Sequence, residues 1–330
     1  MTEGKKICSV GGQALMEGIM MLGPHGMAQV VRDPEGELVI KKQEITPWVR
    51  KNKFLGLPLV RGGVTLVDSM RRGMKALFDS AEIAAAEEDP NYKPSKFDEW
   101  VEKKLGNKAM GVFMTISMIL AVAFSVGLFF LLPNLISSFC IPKAAPKIVY
   151  NLCEGIVRLA IFMGYMIIIA KMKDIRRVYM YHGAEHKCIN CIEHGLELNV
   201  ENVLKSSREH KRCGTSFLMY VIVISIIFFM FIRVDSPVLK IVIRLLLIPV
   251  IAGVSYEFIR LAGKSDNKLV NLISKPGLML QHLTTREPDA EMAEVAIAAV
   301  EAVFDWRAYL NENFGYTYPA KTEKKEHEEP

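Results

Sequence analysis

The chain has 330 residues, 51% of them hydrophobic, with 41 Lys and Arg against 36 Asp and Glu for a net charge of +5. So modest an excess of basic charge speaks for membrane topology and contact with anionic lipid rather than for nucleic-acid binding, which would enter only through a ribosome. The apolar residues are gathered in blocks, and this excludes an ordinary pair of soluble domains.

Residues 1–57 read as a small β-containing unit. Its glycines at Gly11-Gly12-Gln13 point to a tight backbone conformation such as a turn, or to close approach by another group; the tripeptide also occurs in translation release factors, but three residues carry no activity by themselves. Met27–Arg32 and Glu37–Lys42 flank Asp33-Pro34-Glu35-Gly36, which predicts a hairpin. From Pro58 the spacing of Val60, Val64, Val67, Met70, Met74, Leu77, Phe78 and Ala81 predicts a helix, with Arg61, Arg71, Arg72 and Lys75 beside the apolar stripe. Residues 58–108 are therefore assigned to amphipathic helices lying in the membrane interface in preference to packing on the soluble portion, with Trp100 as an interface anchor.

Residues 109–132 carry no charge and are long enough to cross about 30 Å of hydrocarbon. Three further blocks follow. Residues 148–170 are interrupted by Glu154 and Arg158, which stand one turn apart and can pair inside a bundle; 216–232 are short and uncharged; 238–262 are broken or kinked at Pro249. These four spans form a membrane domain at 109–262. Residues 1–108 hold seventeen Lys and Arg and 171–215 hold nine, against two each in 133–147 and 233–240. The positive-inside rule then places both termini and the 171–215 loop in the cytoplasm of a multi-pass cell-membrane protein. Of the six cysteines only Cys140 falls in an outer loop, so reduced thiols are expected in place of a disulfide framework. The second span is expected to continue as one helix to His182. Residues 263–318 read as a helical cytoplasmic region with Pro288 in the first turn of a helix running to about Tyr309, and 319–330 as a disordered tail.

The chemistry is concentrated in Tyr181-His182-Gly183-Ala184-Glu185-His186-Lys187. On a helix His182, Glu185 and His186 share one face, in the H-x-x-E-H order of inverted zincins: two imidazoles for the metal and a carboxylate as general base. Downstream lie Cys188, Cys191, His210 and Cys213. Four arrangements are open on spacing: an open site of His182 and His186 with His210 or Cys213, a closed site of Cys188, Cys191, His210 and Cys213, a mixture of the two, and histidines that cap helix ends without metal.

Gly-Gly-Gln-Ala-Leu-Met-Glu-Gly-Ile-Met-Met at 11–21, Tyr-His-Gly-Ala-Glu-His-Lys at 181–187, Arg-Cys-Gly-Thr-Ser-Phe at 212–217 and the stretch from Gln281 to Pro288 resemble the bacterial YqhQ family over essentially the whole chain. The resemblance implies a multi-pass membrane protein labelled a predicted metal-dependent enzyme. Family members usually carry proline where this chain has Lys211 and a residue other than cysteine at Cys188, which turns the expected ligand set toward His182, His186, His210 and Cys213.

The fold expected is mainly α: a polytopic helical membrane protein with about four transmembrane helices and a mixed α+β cytoplasmic portion. Its expected function is a metal-dependent enzyme, a hydrolase using a divalent metal such as zinc with Glu185 as catalytic base. The competing expectation is a membrane-protein assembly, insertion or scaffold factor that docks a protein partner, such as a translocon or ribosome, at the cytoplasmic face.

Overall fold

The computed structural model describes residues 7–24, 26–85, 109–142, 144–234, 236–265 and 267–319. The expectations for Trp100 and for most of the 319–330 tail lie outside these residues. The chain divides into two compact units, one built from 1–85, 168–221 and 246–330, the other from 86–167 and 222–245.

The first unit is organised on an antiparallel sheet of β1 (Gly11–Leu15), β2 (Gly18–Leu22), β3 (Met27–Arg32) and β4 (Leu38–Gln43), paired in sequence order. The hairpin around Asp33–Gly36 is β3–β4, with Arg32 opposite Leu38. Gly11-Gly12-Gln13 is not a turn but the start of β1, where Gly12 pairs with Met21. Both faces of the sheet are covered, so β2, the partner of β1, is a continuous apolar run without the alternation of a half-exposed strand. Ile19, Met21, Ala28 and Val30 face one core and Leu15, Met20, Met27 and Val31 the other.

After the single turn α1 (Trp48–Lys51), α2 (Val60–Ala84) covers the second face through Ala76, and its Ser80 hydroxyl accepts from the Met16 amide at 3.2 Å. Part of this helix thus packs on the sheet, while its Val67, Met70, Leu77 and Phe78 are exposed. Its Arg61 forms a bidentate ion pair with Glu257.

In the second unit α3 (Ala109–Val126) runs through a π-helical turn at Gly127–Leu131 into α4 (Leu132–Cys140), so the first apolar helix ends at Cys140, beyond the expected 132. A π-turn keeps the chain helical where Pro133 offers no amide to an α ladder. There follows α5 (Lys147–Ile169). It does not continue to His182: residues 170–172 form a turn, Met172 is extended, and α6 (Lys173–Glu193) begins afresh.

Beyond α6 come α7 (Val200–Lys205), α8 (Gly214–Met230), α9 (Pro237–Lys264), α10 (Lys268–Thr284), α11 (Ala290–Val303) and α12 (Trp306–Phe314). Pro249 does not break α9. Pro288 precedes α11, whose N-cap is Asp289, accepting from the Met292 amide at 2.9 Å. The chain is then interrupted at Phe304–Asp305 before Trp306, where a single helix to Tyr309 was expected. Three helices among the described residues are long and apolar enough to cross a membrane: Thr115–Cys140, Lys147–Ile169 and Leu239–Lys264. The fourth apolar helix, α8, has 17 residues, about 26 Å at 1.5 Å per residue.

The main core joins the first face of the sheet to α6 and α11. Tyr181, Ala184, Ile189 and Ile192 meet Met292, Val295, Ala299 and Val300, with Trp306 and Leu310 closing one end. One side of α6 is thereby fixed in a rigid core, and this holds the residues on its neighbouring face in register.

Candidate metal centre

His182, Glu185 and His186 occupy one face of α6, and the two imidazole centroids are 4.4 Å apart. Each ring is oriented by a backbone carbonyl. His182 Nδ1 lies 2.8 Å from the Thr284 oxygen at the end of α10, and His186 Nδ1 lies 2.6 Å from the Arg208 oxygen. A carbonyl only accepts, so both Nδ1 atoms carry hydrogen and the Nε2 lone pairs are left for another partner.

That partner is Cys213, whose Sγ lies 3.3 Å from His182 Nε2. The cysteine occupies the position before α8 and its sulfur accepts from the Thr215 amide at 3.3 Å. One ligand atom from each of His182, His186 and Cys213 falls within 4.8 Å of the others. Burial alone would raise the Cys213 thiol, but the imidazoles of His182 and His186 outweigh it and hold the group well below the ordinary thiol value. Burial likewise disfavours the charged form of His182, and the facing sulfur reverses this to push the imidazole up to about 9. Each group thus shifts the other, the sulfur toward thiolate and the His182 ring toward its charged form.

Glu185 is buried beside them. Its Oε1 accepts from the Gly12 amide at 3.0 Å and its Oε2 lies 4.0 Å from His182 Nε2. Two glycines permit this packing. A Cβ on Gly12 would stand 3.0 Å from Glu185 Cγ and 2.8 Å from the Met20 carbonyl. A Cβ on Gly183, in the middle of α6, would run into the Arg286 carbonyl; the Arg286 amide itself donates to the Tyr179 oxygen at 2.8 Å.

The other sequence candidates stand outside this group. His210 has its ring centroid 5.6 Å from that of His186, but its Nε2 turns to Glu193 Oε2 at 3.7 Å and Arg212 Nη2 at 3.3 Å. Gln281 clamps its backbone, accepting from its amide at 2.8 Å and donating to its carbonyl at 2.7 Å. Burial would raise the Glu193 carboxyl, yet His210 and Arg212 hold it below the usual carboxylate range. Cys188 and Cys191 sit in the main core, and burial raises both thiols, Cys191 to about 11. The Cys191 thiol donates to the Glu197 carbonyl at 3.4 Å.

The close approach expected at the N-terminal glycines is that of Glu185 to Gly12, and the residues that sequence reasoning missed are Gly183, Thr284, Arg208 and Gln281. Thr284 and Arg208 act through their carbonyls, which no residue type advertises. Gly183 carried a usable signal, since a glycine in the interior of a helix is kept against a propensity cost of about 1 kcal/mol.

Two imidazole nitrogens and a thiolate, with a carboxylate alongside, make a donor set for a borderline-soft divalent ion. Tetrahedral zinc bonded to nitrogen and sulfur implies ligand separations of about 3.5 Å, close to the 3.3 Å between His182 and Cys213.

Fold and site define a mainly helical protein with apolar helices long enough to span a bilayer and a buried His/Cys/Glu cluster in its α+β unit. The family model described as "Protein of unknown function (DUF1385)" matches residues 57–306. The chain is also 32% identical over 314 residues to the "Uncharacterized protein YqhQ" of Bacillus subtilis (strain 168), an alignment covering 95% of this chain and 98% of that protein. It belongs to the YqhQ (DUF1385) family. No solved structure matches.

Proposed function

We propose that this chain is a metal-dependent membrane enzyme, a hydrolase, in which His182, His186 and Cys213 hold a divalent metal of the zinc type and Glu185 is the general base. The observation that carries the reading is the convergence of those three ligand atoms within 4.8 Å while both Nδ1 atoms are tied to carbonyls. Such outer hydrogen bonds are what fixes the tautomer and aim of metal-binding histidines. Three protein ligands leave a fourth position for water or substrate. A metal held there would supply Lewis acidity and lower the pKa of water. Glu185, anchored through Oε1 on the Gly12 amide, keeps Oε2 toward the cluster to accept a proton and return it to a leaving group. In this reading α8 completes a set of four spans, both termini are cytoplasmic, and the cluster faces the cytoplasm.

The Gly12–Glu185 hydrogen bond also favours a second reading, in which the cluster only pins α6 to the sheet of a non-enzymatic assembly, insertion or scaffold factor. Metal content by plasma mass spectrometry on detergent-purified protein, joined to hydrolysis of ester and peptide panels, separates the two. The enzyme reading expects near one metal per chain, lost in His186→Ala and Cys213→Ser, and kept in Glu185→Gln together with loss of turnover. Wild-type protein that takes up no metal after reconstitution removes it.

A further inference from the structure

The second unit contains a cluster that the metal centre does not use. Glu154, fully buried in α5, is shared by three cations: Arg158 one turn on at 2.9 Å, Arg244 of α9 through both guanidinium ends, and Lys240 at 3.1 Å. Among the described residues Glu154 is the one carboxylate facing them, so the cluster carries an excess of two positive charges. Arginine does not deprotonate in proteins, so the imbalance persists whatever Lys240 does.

Neutral partners answer only part of it. Arg158 donates to the Phe129 carbonyl at 2.9 Å and stands over the Phe130 and Phe229 rings; Arg244 stands over Phe229 and Lys240 over Tyr150. Cation–π contacts are weak beside the cost of an unmatched cation in hydrocarbon. Arg244 Nε is buried with no hydrogen-bond partner, in a side chain 7% exposed.

The geometry points to a binding site for a phosphate group, completing the charge set of Arg158, Arg244 and Lys240. Lys240 is three residues into α9 and Arg244 seven, hence about 5 and 10 Å from the start of that helix. Lys240 is the most exposed of the three, its side chain at 17%, and forms the entrance. On the same two helices Val149, Ile156, Leu239, Ile241 and Leu245 are exposed apolar residues. A phosphate that arrives with acyl chains covers that surface as it reaches the lysine, so an anionic phospholipid headgroup is the favoured source. Basic pockets between membrane helices bind lipid headgroups for the same reason. A free inorganic phosphate would offer the same oxygens without the chains.

The test uses the full chain in detergent and reads the thermal midpoint and the lipid retained in native mass spectrometry. The additions are dioleoylphosphatidylglycerol, dioleoylphosphatidylcholine or inorganic phosphate. A midpoint raised by phosphatidylglycerol alone, with retention reduced about fivefold in Lys240→Ala and kept in Lys240→Arg, supports the site with lipid as its source. The same pattern with inorganic phosphate supports it with a free anion. Equal response to phosphatidylcholine and phosphatidylglycerol, or a folded Lys240→Ala that retains phosphatidylglycerol like wild type, overturns it. Lys75→Ala, on α2 in the other unit, controls for general attraction of basic surface.

Discussion

Replacing Gly183 with alanine sets helix propensity against packing at the candidate metal centre. In an exposed helix interior the change would stabilise the protein by about 1 kcal/mol. Here the added Cβ would collide with the Arg286 carbonyl, and backbone cannot turn aside as a flexible side chain would. Overpacking of this kind costs about 1–3 kcal/mol, and separation of the 285–287 segment from α6 also strains the hydrogen bond from the Arg286 amide to the Tyr179 oxygen, worth about 1 kcal/mol. The balance is a destabilisation of about 1–3 kcal/mol, or a thermal midpoint lower by about 2–4 °C for each kcal/mol. The same displacement moves the Thr284 carbonyl, two residues earlier, and with it the aim of His182. Metal retention against a graded chelator should therefore fall along with stability. A Gly183→Ala protein that melts at or above the wild-type temperature would refute the argument from close approach.

Cys188→Ala and Cys191→Ala should each keep the full metal content of the wild type, because both thiols lie in the core outside the ligand group; loss of metal in either, measured by plasma mass spectrometry, would restore the closed Cys188–Cys191 site. Glu154→Gln should destabilise the protein by about 3–5 kcal/mol, since it strips three buried cations of their counter-charge; a thermal midpoint in detergent within a degree or so of wild type would contradict this. The metal-free protein should lose stability on acidification below about pH 6.5. The raised His182 contributes stability present below its ordinary 6.5 and lost as pH rises through about 9, whereas the depressed Cys213 contributes stability present above its ordinary 9.0 and lost as pH falls through its folded value. Between 6.5 and 9 the two slopes oppose, leaving a plateau, and below it protonation of Cys213 adds to that of His210, which burial holds below its ordinary value, and of the depressed Glu193. Thermal midpoints of chelator-treated wild type and Cys213→Ser across this range, with ultraviolet thiolate absorbance, check the shape; an acid limb as steep in Cys213→Ser as in wild type would assign it to other groups.

What the sequence made legible was periodic or local. The β3–β4 hairpin has a Pro-Gly turn between two β-prone runs, and the face shared by His182, Glu185 and His186 follows from helical spacing alone. What it hid was set by tertiary contact. β2 lacks alternation because Ile19 and Met20 are buried on opposite faces, and Gly12 belongs to a strand because Met21 pairs with it. The continuity expected from Ile169 to His182 fails at three residues, 170–172, which carry neither proline nor glycine to mark a break. His210 has a ligand's side chain and a ligand's spacing, yet Gln281 and Glu193, which hold it elsewhere, are distant in sequence and unremarkable in type.

The N-terminal strand and α6 are laced together by two carboxylates, and the spacing explains why the string from Cys8 to Gly12 lies where it does. Glu193 accepts from the Cys8 amide at 3.0 Å and Glu185 from the Gly12 amide at 3.0 Å. Eight residues of helix rise about 12 Å and four residues of extended chain about 13 Å, so the two repeats match when the segments run in opposite directions. β1 is an edge strand whose outward amides would otherwise lack partners in the core. Each glutamate thus serves twice: Glu193 satisfies the Cys8 amide ahead of β1 while holding Arg212 and facing His210, and Glu185 satisfies the strand at Gly12 while facing His182. Anchored through Oε1 on the Gly12 amide, Glu185 stands at the edge of the His182–His186–Cys213 group with its Oε2 4.0 Å from His182 Nε2, the place from which the proposed reading has it act as a base.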